Sequence, residues 1–311
     1  MQGTKNRGNS KLNILRRDIK RNYFIYLMLL PVVTYYILFH YMPMYGAQIA
    51  FKNFDVNQGI WGSPFTGFRH FLSFFNSYYF KRLITNTILL SGLDILFGFP
   101  APIILALLLN EVKKLRFKKI VQTVSYLPHF ISVVVIAGLI IDFTTQNGLI
   151  NEIRQMFGGR PISFLNFPQY FRPLYISTNM WQHIGWGSII YLAAISNIDQ
   201  QLYEAARIDG AGRLRQCFSI TLPGIIPMIT ILLILRIGNI MTVGAEKILL
   251  LYNPSIYETS DVISTFVYRK GLLEANYSYS TAVGLFNSLI NFTILVTVNY
   301  VSRKVSENSL W

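Results

Sequence analysis

Polar side chains recur at helical spacing inside three long apolar runs of this 311-residue sequence. Residues three or four positions apart share one face of a helix, so each run presents a polar stripe. Polar groups are costly inside a membrane and tend to mark binding sites or pathways. These residue types could bind a polar solute, because amides bond hydroxyl groups and an indole ring stacks on a sugar ring. The stripes are Asn179, Gln182, His183 and Trp186; Arg236 and Asn239; and Asn287 and Asn291.

A second interpretation of the same stripes is structural. Amides in apolar helices often bond a neighbouring helix, and the small residues Gly185, Gly187 and Ser188 suit close helix packing. Arg236 differs, because a guanidinium in an apolar helix must find a carboxylate, carbonyl groups or water. Asp94 is one partner within the chain, and an anionic ligand is the alternative.

Composition and spacing exclude several classes of site and of protein. The net charge is +14, but only 14% of residues are charged and 52% are hydrophobic, unlike a soluble nucleic-acid-binding domain. Cys217 is the single cysteine, so an intrachain disulfide and a cysteine zinc site are excluded. The four histidines form no closely spaced pair, and no phosphate-binding loop of the GxxxxGK[ST] type occurs.

Six apolar runs are long enough to cross a membrane, which requires about 20 residues in a helix. The first follows a basic tail, but its length and the lack of a small-residue cleavage site argue against a signal peptide. We therefore predict an all-α integral membrane protein with six transmembrane helices, including one in which His129 and Pro128 sit at a kink. The predicted spans are residues 23–42, 86–109, 120–143, 174–198, 223–245 and 281–301.

The distribution of basic residues predicts the orientation of these spans. Of the 28 Lys and Arg residues, 17 belong to the two tails and to the loops after spans two and four. Ten lie in the three longer loops on the other side, including Lys247. By the positive-inside rule, both termini are expected in the cytoplasm. The outer loops, 43–85, 144–173 and 246–280, are expected to fold as short helices over the outer mouth.

The loop between spans four and five is the most distinctive segment. Residues 201–206 are good helix formers, and Asp209-Gly210-Ala211-Gly212 allows a sharp turn. Residues 213–222 can be helical again, with Pro223 in the first turn of span five. This pattern predicts a helix-turn-helix that presents a rigid knob to a cytoplasmic partner.

That loop resembles the EAA loop of ABC importer permeases. Glu204-Ala205-Ala206, then Asp209-Gly210-Ala211 and finally Ile220-x-Leu222-Pro223 match the pattern EAAxxDGA followed by IxLP. The stretches 41–54 and 59–64 also resemble sugar permeases related to the maltose system, in particular the Gram-positive oligosaccharide and polysaccharide group. The residues that the resemblance assigns to ATPase coupling are Glu204, Ala205, Ala206, Arg207, Asp209, Gly210, Ala211 and Arg213.

The resemblance implies the type I importer fold and its assembly. The expected partners are a second homologous permease, two ATP-binding cassette ATPases, an extracellular solute-binding lipoprotein, a carbohydrate and membrane lipid, with no nucleic acid. The chain itself is expected to be no enzyme and to bind no metal or cofactor, since ATP and Mg are used by the partner ATPases. In related sugar permeases the cavity is lined by helices that flank the EAA loop, which favours the stripes at 179–186 and 236–239.

The resulting prediction is a carbohydrate permease of the plasma membrane that carries a complex oligosaccharide or polysaccharide fragment, with uronate-containing chains among the candidates and a simple disaccharide as the alternative. Its parts are a basic cytoplasmic tail (1–22), a six-span domain (23–302) with a coupling loop (199–222), and a cytoplasmic C-terminal tail (303–311). Two other classes remain open. An ion-coupled secondary transporter would contain an inverted repeat and carboxylates within its spans. A non-transporting membrane scaffold would use the loop only to dock a partner.

Overall fold

A computed structural model describes residues 17–305 of the chain, and the first four of the seven basic residues of the N-terminal tail lie outside that range. Within it, helices account for the regular structure, apart from a single β-bridge between Lys52 and Phe65. The helices used below are α1 (Tyr23–Phe51), α2 (Arg69–Phe75), α3 (Tyr79–Glu111), α4 (Leu115–Tyr126), α5 (Val133–Thr144), α6 (Leu149–Met156), α7 (Pro168–Ser196), α8 (Gln200–Ile208), α9 (Arg213–Gly238), α10 (Ala245–Leu251), α11 (Ile263–Tyr268) and α12 (Tyr277–Val305).

Five helical stretches of the described chain are long and apolar enough to cross a membrane: α1, α3, α5 with α6, α9 and α12. The remaining predicted span lies in α7, which has 29 residues but is too polar to meet the same criterion. That lower hydropathy reflects the stripe of amides and histidine on this helix. The all-helical membrane fold predicted from the sequence is confirmed.

The predicted span at 120–143 is not a single helix, and the chain breaks close to the kink predicted at Pro128. Helix α4 ends at Tyr126, a 3-10 turn covers Leu127–Phe130, and α5 begins only at Val133. Pro128 lacks a backbone N–H and disfavours helix in the residue before it. Ser132 then caps the new helix, because its hydroxyl accepts a hydrogen bond of 3.3 Å from the backbone N–H of Val135.

The predicted end of span five, at Ala245, is also wrong. Helix α9 ends at Gly238, and residues 239–244 are not helical. Asn291 of α12 satisfies part of the freed backbone, since its carbonyl accepts from the N–H of Met241 at 2.9 Å. Non-helical backbone within a membrane protein needs such internal partners. At the other end, α9 passes through Pro223 without a break, as a π-turn at Cys217–Thr221 widens the helix there.

Close helix packing occurs at the small residues of α7. A side chain built at Gly185 would place its Cβ 2.0 Å from the backbone oxygen of Ser125 in α4. At Gly187 the corresponding Cβ would lie 3.0 Å from the ring of Pro102 in α3. The small-residue face predicted from the sequence is therefore a contact surface, and it brings α3 and α4 against α7.

Helix α3 contains a π-turn at Asp94–Gly98, directly before Pro100 and Pro102. Such wide turns are frequent at functional sites. Gly98 is needed here, because a Cβ at that position would lie 2.8 Å from Oδ1 of Asp94. The turn thus directs the Asp94 carboxylate towards α7 and α9.

The predicted outer loops fold as short helices, as expected. They include α2, α6, α10 and α11, and the segment 246–280 packs against α3 and α7. The N-terminal part of α1 behaves differently, because none of the side chains of Tyr23–Met44 is buried against the rest of the chain. Only its final turns, Tyr45–Phe51, pack against α12.

Candidate substrate cavity and coupling loop

The loop between α7 and α9 is a helix followed by a glycine turn. Helix α8 begins after Asp199, whose carboxylate accepts a hydrogen bond of 2.9 Å from the backbone N–H of Gln201. It ends at Ile208, and Gly210 then adopts a φ of +76°. The predicted helix-turn-helix is confirmed as a structure.

Two hydrogen bonds close this turn in the manner of a Schellman motif. The N–H of Ala211 donates to the carbonyl of Ala206 at 2.8 Å, and the N–H of Gly210 donates to the carbonyl of Arg207 at 3.1 Å. Gln216 adds a third bond, from its Nε2 to the carbonyl of Ala211 at 2.7 Å. The turn is therefore rigid, and a residue with a Cβ at position 210 would be strained.

One side of α8 is anchored and the other is free. Tyr203 is buried, and its hydroxyl lies 2.9 Å from Oγ1 of Thr221 in α9. By contrast, Ile208 is 87% exposed and Leu214 is 77% exposed. Large apolar side chains exposed beside charged ones are typical of a protein-docking surface. The residues of the predicted coupling set that are exposed are Glu204, Ala205, Arg207, Asp209, Gly210 and Arg213.

A cleft of about 860 Å³ lies between this loop and the end of α3. Arg207 and Arg213 contribute basic groups to it, and Glu111 contributes a carboxylate. The loop thus presents both an apolar tip and a charged recess, which together suit a protein partner.

Two further cavities lie between the helices and share three residues, His183, Arg236 and Asn239. The first has a volume of about 270 Å³, and its wall consists of Leu90, Ser91, Asp94, Ile95, Tyr175, Asn179, His183, Arg236, Asn239, Ile240, Thr242, Val243 and Gly244. The second, of about 480 Å³, is lined by Gly98, Phe99, Pro102, His183, Gly187, Ile190, Tyr191, Leu232, Leu235, Arg236 and Asn239. The α7 residues that line the second cavity are nearer to α8 than those that line the first cavity. The second cavity therefore lies on the side of the coupling loop.

An ion pair between Arg236 and Asp94 lies where the two cavities meet. Nη2 of Arg236 donates to Oδ2 of Asp94, and Nδ2 of Asn179 donates to Oδ1 at 2.7 Å. The Asp94 side chain is only 11% exposed, whereas that of Arg236 is 51% exposed. The partner suggested for Arg236 by the sequence is confirmed, and the guanidinium still faces open space.

The structure brings together only part of the predicted stripes. His183, Arg236 and Asn239 line the cavities, as does Asn179. Gln182 is buried outside both cavity walls, and Asn287 and Asn291 also lie outside them. Asn291 instead bonds the backbone of Met241, as described above, and Oγ1 of Thr242.

Trp186 lies in an aromatic group beside the cavities. Its ring stacks on that of His129 with a centroid distance of 4.5 Å and an interplanar angle of 5°. Nδ1 of His129 is 3.3 Å from Nδ1 of His183. His129, interpreted from the sequence as a packing residue at a kink, is therefore packed between the helix break and the cavity wall.

Sequence reasoning missed several residues around the first cavity. Tyr175 and Thr242 contribute to its wall, and the non-helical segment 239–244 forms one side. Lys247 was assigned to an outer loop, yet it is buried and only 5% exposed. The available signal was the pair of glycines at 238 and 244, which bracket the helix break.

Comparison with known proteins gives consistent matches. The family model described as binding-protein-dependent transport system inner membrane component matches residues 98–307. The chain is similar to protein LplB of Bacillus subtilis (strain 168), with 43% identity over 94% of this chain and 92% of that protein. It is 45% identical to the polygalacturonan/rhamnogalacturonan transport system permease protein YteP of the same organism, over 96% of this chain and 93% of that protein.

A solved structure has a closely similar fold. It is a chain of a bacterial ABC transporter involved in the import of the acidic polysaccharide alginate, with a TM-score of 0.88 and 47% identity. The alignment covers 94% of this chain and 99% of that chain. A second structure of the alginate transporter, in complex with an alginate pentasaccharide-bound periplasmic protein, matches with 46% identity and the same TM-score of 0.88.

Proposed function

This chain belongs to the family of binding-protein-dependent transport system inner membrane components, and from that premise we propose that it carries an acidic oligosaccharide through an ABC importer. As a permease subunit it is not an enzyme, and it is a multi-pass protein of the plasma membrane. The similarities give no support to the ion-coupled transporter or to the scaffold considered from the sequence.

The observation that supports an acidic substrate is that the Arg236 side chain lies half exposed in the cavity wall. Asp94 engages one of its nitrogen atoms, and the residue lines both cavities with further N–H donors that this carboxylate does not engage. Guanidinium groups bind carboxylates through paired, charge-assisted hydrogen bonds. The names of two relatives, which specify alginate and polygalacturonan, support the same class of substrate.

The remaining polar groups suit the sugar hydroxyls. Asn179 and His183 of α7 and Asn239 at the end of α9 offer donors and acceptors in the wall of the first cavity. Its volume of about 270 Å³ is near the lower end of ligand pockets, which range from roughly 300 to 1,000 Å³. We infer that one sugar unit at a time occupies it, while the adjoining second cavity receives the next unit.

We propose that transport is driven through the coupling loop. The assembly would contain a second homologous permease, two ATPases that use ATP and Mg, and an extracellular binding protein. The rigid turn at Gly210 would transmit closure of the ATPases to α7 and α9, because both helices are joined directly to α8. The same arrangement requires both termini in the cytoplasm, which the distribution of basic residues supports.

Uptake by the reconstituted importer tests the substrate class. Proteoliposomes containing the complete complex should accumulate tetragalacturonate faster than its methyl ester, which has the same length and no charge. Arg236→Gln should lower uptake of the acid about tenfold, since a charge-assisted hydrogen bond contributes about 1.5 to 3 kcal/mol. Arg236→Lys retains a positive charge and should lower uptake of the acid by less than Arg236→Gln does. Equal uptake of acid and ester by the unaltered complex would remove the acidic substrate from the proposal.

Two glycines of the coupling loop provide a matched test of coupling. Gly210 has a φ of +76°, whereas Gly212 has a φ of −68° and no atom near the position of a Cβ. Gly210→Ala should strain the turn by about 1 kcal/mol or more and reduce uptake several-fold. Gly212→Ala adds the same methyl group without strain and should transport normally. Coupling through this turn is refuted by full uptake in the Gly210 variant.

A further inference from the structure

Lys247 is a buried cation that lacks a hydrogen-bond partner. It lies in α10 and is 5% exposed, and its Nζ atom is shielded from solvent with no acceptor in reach. Its neighbour Ile248 belongs to a core cluster of apolar side chains that also contains Tyr175 and Val243. Apart from the face of the Tyr175 ring, the ammonium group has no polar partner in these surroundings.

The energetic disadvantage of this arrangement points to a functional role. Burying a charge without a partner is among the more destabilising features that a fold can contain. An apolar side chain of similar length, such as methionine, would fill the same space at less cost. The half-buried arginines Arg82 and Arg269, in contrast, are paired with Asp261.

Lys247 lies directly behind the wall of the first cavity. Its Nζ is 5.8 Å from the centroid of the Tyr175 ring, which forms part of that wall. Gly244, another wall residue, begins the turn that leads into α10, and a Cβ there would lie 3.1 Å from Oη of Tyr175. The Tyr175 ring is therefore the group that separates the ammonium from the cavity.

The charges around the cavity do not cancel. Asp94 is the carboxylate that interacts electrostatically with Lys247 across this region, but its oxygens are already engaged by Arg236 and Asn179. Two cations thus face one anion. An incoming carboxylate would restore the balance and would give Lys247 the acceptor that it lacks.

We propose that Lys247 is a specificity-determining residue that binds a carboxylate of the sugar chain when Tyr175 moves aside during transport. The inference rests on the proposed acidic substrate and adds a second cationic position to that of Arg236. Lys247 is on the side of the first cavity away from the coupling loop, so it would contact each uronate unit before Arg236 does. The break after Gly238 provides the freedom for α10 to move relative to α9.

The test is equilibrium binding of tetragalacturonate and its methyl ester to the purified permease and ATPase complex, without the binding protein. Lys247→Met should bind the acid at least about tenfold more weakly and the ester within twofold of the unaltered complex. Lys247→Arg should recover most of the affinity for the acid. The matched control is Lys270→Met, which removes a cation of the same outer segment that pairs with Glu274 at 2.5 Å. It should bind both ligands normally.

Each other outcome contradicts the role of Lys247 in a recognisable way. An unchanged preference for the acid in Lys247→Met overturns this inference and leaves the acidic substrate standing. Equally weakened binding of the acid and of the ester shows that Lys247 only supports the fold. A lowered temperature of thermal unfolding of the variant would confirm that role. If the unaltered complex itself does not prefer the acid, the proposed substrate class is wrong, and this inference falls with it.

Discussion

Two carboxylates of this chain, Asp261 and Asp94, lie in different environments. Asp261 has a fully buried side chain, and its Oδ2 accepts from Nη2 of Arg82 at 3.0 Å and from Nη2 of Arg269 at 2.8 Å. Thr265 donates to Oδ1 at 3.0 Å. Asp94 has a single arginine, whose side chain is half exposed to the cavities.

Hydrogen bonds around Asp261 link its segment of the chain to α3 and to α7. Asn86 of α3 donates to the backbone carbonyls of Glu258 and Asp261 at 2.9 and 3.0 Å. Its own carbonyl accepts from Nη2 of Arg172 in α7 at 2.8 Å. This cluster holds the segment 246–280 against α3 and α7.

The comparison shows how the same pair of residue types serves two purposes. A buried carboxylate with several donors is held in one arrangement, because removing any partner leaves an unpaired charge. A pair in which the arginine is half exposed is weaker, since solvent or ligand can replace the carboxylate. Asp261 is therefore a fixed clamp, and Asp94 holds Arg236 in an arrangement that a substrate carboxylate can exchange.

The largest effect is expected at the clamp. Asp261→Asn keeps the size of the side chain but leaves two arginines unpaired, and it should destabilise the fold by about 3 to 5 kcal/mol. The measurement is thermal unfolding of the purified complex in detergent. Glu274→Gln, which breaks the exposed pair with Lys270, is the control and should change stability by less than about 1 kcal/mol. Similar melting of the two variants would refute a clamp at Asp261.

A smaller effect is expected at Asn86, which is fully buried. Asn86→Leu removes hydrogen bonds to Glu258, Asp261 and Arg172 and leaves their buried groups unsatisfied, at about 2 to 3 kcal/mol. Asn239→Leu is the matched change at the cavity, where the amide donates only to the carbonyl of Leu235 in the last turn of α9. The free energy of unfolding of this variant should stay within about 1 kcal/mol of that of the parent protein. An equal loss of stability in the two variants would contradict the contrast between the Asp261 cluster and the cavity.

The smallest change in stability is expected at Asp94. Asp94→Asn should cost less than about 1 kcal/mol, because Arg236 can be hydrated from the cavities and an amide oxygen can still accept from Asn179. Binding of tetragalacturonate should become several-fold tighter, since the internal carboxylate no longer competes for Arg236. Destabilisation as large as that of Asp261→Asn, or weaker binding of the acid, would show that Asp94 is a second clamp.

The coupling loop could be predicted from the sequence because its structure is local. The cap at Asp199 involves a residue two positions away, and the bonds that close the turn link residues 206–211. Helix propensity and the glycine at 210 therefore indicated the correct structure. Its role in coupling stays a prediction, which the paired glycine variants test.

The cavity could be predicted only in part. Arg236 and Asp94 were recognised as potential partners because charges are rare in apolar runs, but they are 142 positions apart. At 131–132 the sequence indicated a kink at Pro128 but not a break between two helices, and the break at 239–244 was missed. Lys247 was consequently placed in an outer loop.

The membrane class, the approximate helices and the coupling turn follow from the amino-acid sequence alone, because hydropathy, charge placement and backbone preference act within short stretches of chain. Long-range packing, in contrast, sets where α9 ends, which polar residues face the cavities and which arginines are clamped. Those outcomes depend on whether a side chain from a helix distant in the sequence forms a hydrogen bond with each polar group. Asn291 shows this most clearly, since a residue of a predicted substrate stripe serves instead to complete the broken backbone at Met241.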